Sequence, residues 1–167
     1  APGDFATAAA RFMSGDADFF EALRPEMLGQ AAKSPHVRVQ TYPGLDYAML
    51  MFNERDPKSP AKPHPLFSDK ALRVALTMGI DRAGIVKNVF DSLAIPALGP
   101  TVRAMPSTDT TLASAQIPYD TAAAAKLLDS LGWRDLDHSG VRKKGGKPLT
   151  FTVLTPTSSK NRERCAV

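Results

Sequence analysis

The sequence predicts an α/β layered fold. Apolar residues recur with a helical period in several separate stretches, strand-like runs alternate with those stretches, and the composition is that of a globular chain. The chain has 167 residues, 43% of them hydrophobic and 23% charged, which suits one ordinary domain or two small lobes. No apolar run approaches the roughly 18 residues that a membrane-spanning helix needs. Ala1 to Asp4 carry no basic segment and no apolar segment follows, so an exported protein is expected to be seen here in mature or truncated form.

The first helix is predicted from Asp4 to Ser14. Phe5, Ala8, Ala9, Phe12 and Met13 fall on one face, and Gly15 follows as a left-handed cap. Residues 16–20 read as short and partly extended. Pro25 suits the first turn of a second helix ending near Lys33. Residues 36–41 alternate polar and apolar side chains, as a strand with one solvated face does. Residues 46–53 (Asp-Tyr-Ala-Met-Leu-Met-Phe-Asn) are continuously apolar between their polar ends, as a strand covered on both faces would be. Pro57, Pro60, Pro63 and Pro65 then predict a connecting loop over 54–66, because proline removes backbone donors.

A helix capped by Ser68 or Asp69 is predicted to run to Gly79, with Ala71, Leu72, Val74, Ala75, Leu76 and Met78 apolar nearly all round. Asp81 caps the next, striped by Ile85, Val86, Val89 and Phe90. Residues 95–118 read as loop. Asp120 caps a further helix whose buried face is Ala124, Leu127, Leu128 and Leu131; Gly132 ends it, and Trp133 is expected to pack back onto it. Leu149, Phe151 and Val153 alternate in a strand over 148–154.

Several of these segments together resemble family-five extracellular solute-binding proteins. The likeness is carried by Tyr47-Ala-Met-Leu-Met-Phe-Asn53, the proline loop, and Leu66-Phe-Ser-Asp-Lys-Ala-Leu-Arg-Val-Ala-Leu-Thr-Met-Gly-Ile-Asp-Arg82. It continues through Pro96 with Gly99-Pro100, Tyr119-Asp120, Leu131-Gly-Trp133, Asp135 to Arg142 and Gly146-Lys-Pro-Leu-Thr-Phe151. Each motif is short, and the specificity lies in their shared order and spacing. The resemblance implies a fragment of a two-lobed, type II periplasmic-binding-protein-like fold, a mixed sheet with packed helices around a cleft. Residues 1–45 would end the first-lobe segment, and 46–167 would hold the crossing strand and an incomplete second lobe. It implies the substrate-binding component of an ABC importer, outside the cytoplasm, with a peptide, nickel complex or sugar as solute and a membrane permease as partner. No cofactor, metal or nucleic acid is implied. A fragment of this kind is expected to bind peptides weakly or not at all and to self-associate.

Tyr47 and Asn53 mark the ends of the candidate crossing strand. A place on the cleft floor and simple core packing are both open to Tyr47. Thr155, Thr157 and Ser158 could donate hydrogen bonds to a peptide backbone, although capping the next helix is the plainer role. Asp135, Asp137, Ser139 and Gly140 have the look of a calcium loop, but the twelfth position is Gly146 where a bidentate Glu belongs, so a turn held by side-chain hydrogen bonds is expected. Asp81-Arg82 reads as a helix cap beside an ion pair. His36, His64 and His138 lack zinc spacing. Cys165 reads as a packing residue. The net charge of +4 reflects Arg142, Lys143, Lys144, Lys147, Lys160, Arg162 and Arg164, read as a solvated loop with no interleaved aromatics. Neither a Gly-x-Ser-x-Gly elbow nor a phosphate-cradling glycine motif occurs. The rival reading is a stand-alone α/β enzyme domain using scattered Asp, His or Ser residues.

Overall fold

Helix α1 spans Phe5–Met13, and the Asp4 carboxylate accepts the Thr7 N–H at 2.9 Å to cap it. Its aromatic face is closed by Phe20, whose ring lies 5.4 Å from Phe5 and 5.7 Å from Phe12. A 3₁₀ turn at Pro25–Met27 leads into the short α2, Leu28–Ala31, as Pro25 predicts. In this computed structural model the described residues are 4–21 and 23–166, so expectations for residues 1–3 and for Val167 lie outside them.

The core is built by α3, Lys70–Met78, and α5, Thr121–Ser130. Leu72 and Ala75 of α3 meet Leu128 of α5 and Trp133 beyond it. Leu66, Leu76, Leu127, Leu131 and Leu149 pack around them. Burying a side chain such as Leu72 contributes about 1.5–3 kcal/mol. Both helices start on capping carboxylates: Asp69 accepts from Ala71 and Leu72, and Asp120 accepts from Ala123. The Asp120 N–H also donates to the Met78 carbonyl at 2.9 Å, which ties the start of α5 to the end of α3.

Helix α5 closes as its sequence predicts. Gly132 takes φ +85°, its N–H donates to Asp129 and the Trp133 N–H donates to Leu128. That pair of bonds is the Schellman arrangement, and it turns Trp133 back into the core. Helix α4 covers only Arg82–Ile85. It widens into a π-type turn at Val86–Phe90, followed by a 3₁₀ turn at Asp91–Leu93.

Strands differ most from expectation. Residues 36–41 form no strand, and neither do residues 46–53, in which Met49, Leu50 and Met51 are exposed. The 148–154 strand shrinks to β4, Lys147–Pro148, antiparallel to β3, Lys143–Lys144, with one further bond from Leu149 to Arg142. Residues 54–66 hold a bulged hairpin, not a plain loop: β1, Arg55–Asp56, pairs with β2, Ser59–Pro63. A two-stranded ribbon has outer edges where proline's missing donor costs nothing, and the Asp56 carboxylate accepts the Lys58 N–H to shape its turn. The missing strands share one physical cause. A strand's hydrogen bonds lie between separate stretches of backbone, and among the described residues no partner backbone is hydrogen-bonded in a ladder to these segments. The described β-structure is thus two antiparallel ribbons.

The basic run at 142–147 is a hairpin and not a loose loop, with Gly145 and Gly146 at φ +56° and +75° in its turn. Lys160–Cys165 forms a further helix, α6.

Candidate groove between residues 53–67 and 150–154

Phe67 anchors the region where the two strand-like segments meet. It precedes α3 and is buried, with its ring 5.2 Å from Phe52, 4.6 Å from His64 and 5.4 Å from Phe151. These contacts hold residues 52–53 beside residues 150–154. A groove of about 340 Å³ runs between them, lined by hydrophobic Phe67, Phe151 and Leu154 with polar Asn53, Thr150 and Thr152. A concave, mostly apolar surface with a few convergent polar groups is the usual form of a ligand site.

His64 is fixed at the groove's edge. Its Nδ1 accepts the N–H groups of Leu66 and Phe67, each at 3.0 Å, so the ring proton of the neutral side chain sits on Nε2. The His64 carbonyl takes the Ser68 hydroxyl at 2.6 Å. The imidazole thus acts as a local cap that presets the turn into α3. Reading His64 for metal spacing alone missed this. The signal available was its place between Pro63 and Pro65, just ahead of a capped helix.

Of the residues singled out in the sequence, Asn53 lines the groove, and its Oδ1 accepts the Arg55 N–H at 3.1 Å. Tyr47 is 41% exposed and does not line it. Thr155 is half-buried directly after the groove-lining Leu154, while Thr157 and Ser158 are exposed. None of these three caps α6; the Ser159 hydroxyl does, accepting from Arg162.

The acidic loop is a closed turn. Asp135 accepts the N–H groups of Ser139 and Gly140, one on each carboxylate oxygen, and Asp137 pairs with Lys143 and takes the Ser139 hydroxyl. The Lys143 ammonium, followed by that hydroxyl, holds Asp137 well below the usual carboxylate range. Asp81 caps α4 by accepting from Gly84. Arg82 donates to the Ile117 carbonyl at 2.6 Å instead of to a carboxylate, pinning the 95–118 segment, which is not all loop as expected but holds a 3₁₀ turn at Thr110–Ala115 capped by Asp109. Burial pushes the Cys165 thiol up, away from the thiolate a nucleophile needs. No helix of the described residues is long and apolar enough to cross a membrane.

The fold of this chain matches part of a solved binding protein. The solved structure of the oligopeptide-binding protein AppA from Bacillus subtilis, in complex with a nonapeptide, superposes at TM-score 0.62 with 28% identity, covering 86% of this chain and 27% of that one. Its fold is that of the type II periplasmic binding proteins. The chain belongs to the bacterial extracellular solute-binding proteins, family 5, whose middle region matches residues 2–167. The oligopeptide-binding protein AppA of Bacillus subtilis (strain 168) is 29% identical over 164 residues, 98% of this chain and 28% of the relative. Protein XP55 of Streptomyces lividans is 33% identical over 95 residues, 57% of this chain and 17% of that protein. The chain thus spans less than a third of the length of the relatives it matches.

Proposed function

We propose that this chain is part of the substrate-binding component of an ABC importer, working outside the cytoplasm and taking up peptides. The observation that carries this is the match to an oligopeptide-binding protein along 98% of the chain. In this reading residues 1–45 end a first-lobe segment, and residues 46–167 carry the crossing segment, which is not a strand here, and the first part of a second lobe. Asn53, Thr155 and the groove face the solute, with Tyr47, Thr157 and Ser158 as outlying contacts. Binding is reversible and involves no covalent chemistry: closure of two lobes on the solute presents a surface to the membrane permease.

The test is calorimetry of the complete gene product against dipeptides, nonapeptides, nickel complexes and oligosaccharides. Saturable binding of peptides alone is expected. Preference for a sugar or a nickel complex overturns the peptide assignment, and turnover abolished by a single Ser, His or Asp substitution overturns the binding role.

A further inference from the structure

We propose that the β3–β4 ribbon is a docking surface for the anionic headgroups of a lipid membrane, whatever the solute.

The ribbon carries Arg142, Lys143, Lys144 and Lys147 within six positions, and Arg134 is bridged to Lys143 on its other side. Two of these cations are already neutralised. Arg142 pairs with Asp129 at 2.5 Å, and Lys143 pairs with Asp137. Both ion pairs tie the ribbon to its surroundings, since Arg142 also donates to the Trp133 carbonyl at 2.8 Å. Arg134, Lys144 and Lys147 make no ion pair among the described residues. Lys144 and Lys147 stand directly opposite each other across the ribbon. Directly opposed residues project from the same face, and like charges placed so are destabilising. The Lys144 ammonium lies 5.9 Å over the Trp133 ring, a contact that orients it without discharging it.

A preformed ribbon with opposed, uncompensated ammonium groups gains stability from an external anion. The local conflict is of the kind that marks an interaction surface. Side-chain chemistry selects the partner. Trp133 is buried, so the ribbon presents no aromatic platform for bases, whereas Leu136, on the loop the ribbon closes, is 81% exposed. Cations beside an exposed aliphatic side chain suit a charged, apolar-backed interface more than a nucleic acid.

The experiment is co-sedimentation of the complete gene product with phosphatidylglycerol–phosphatidylcholine vesicles and with phosphatidylcholine vesicles, at low and high salt. Binding to the anionic vesicles alone, weakened by salt, is expected. Lys144→Ala with Lys147→Ala should weaken it roughly twenty-five-fold, at about fivefold per lysine. Lys58→Ala with Lys62→Ala, which removes the same charge from the other hairpin, should change it less than about twofold. Circular dichroism of both variants checks that they fold. Equal binding to both vesicle types, no binding, or equal loss in the two double variants overturns the proposal. So does complete release by millimolar inorganic phosphate, or a preference for duplex DNA over the anionic vesicles.

Discussion

Asp137 shows how a single side chain is set by its neighbours. Lys143 and Ser139 stabilise its charged form, so its folded pKa lies below the ordinary 3.8. For a carboxyl depressed on folding, the stabilisation is complete above the ordinary value and is lost as pH falls through the folded one. Asp137→Asn should therefore lower the melting temperature at neutral pH, and the gap to the parent should shrink as pH drops below 3.8. A gap that stays constant under acid titration would show that the Lys143 pair does not contribute. The turn could be suspected from the Asp-x-Asp-x-Ser spacing, but the partner of Asp137 could not: Lys143 lies six residues away, brought close by the Arg134–Lys143 bridge that closes the loop. His64 teaches the same lesson, since its role depends on a turn that folds its ring over two backbone amides.

Helix α5 and its termination illustrate the scale of the element. Asp120, the Ala124–Leu128 face and Gly132 all act within one or two turns, and each was readable in the sequence. At Gly132 an added Cβ would first meet the flexible Lys144 side chain, 3.6 Å away, so space is not the constraint. The constraint is φ +85°, which L-residues adopt at a cost. Gly132→Ala should destabilise by about 1 kcal/mol, a shift of a few degrees in thermal unfolding. Gly132→Asn should lose less. Identical melting of the Ala variant and the parent would mean that the cap does not hold Trp133 in place. Helix α4 was legible only in its start: Asp81 caps it as expected, but the stripe from Ile85 to Phe90 continues as a π-type turn that side-chain periodicity does not foretell.

The whole molecule is a small helical core with exposed apolar segments at its margin. Leu45, Met49, Leu50, Met51 and Leu154 are each at least half exposed, and the backbone beside them lacks strand partners. Such edges recruit other chains. A polypeptide of these 167 residues should self-associate and bind peptides weakly. Light scattering should show the association, and Met51→Lys with Leu154→Lys should reduce it. A clean monomer that binds a nonapeptide at micromolar concentration would show that the groove alone is a sufficient site.

The sequence by itself determined helices α1, α3 and α5, the caps at Asp69, Asp81 and Asp120, the glycine stops at Gly15 and Gly132, and the family, because those depend on residues a few positions apart or on motif order along the chain. Only the tertiary structure decided which apolar runs become strands and which residues share the groove. Residues 46–53 and 148–154 have the composition of strands. A β-ladder forms between distant segments, so composition states a capacity for pairing, and the neighbours available in space decide whether it is used.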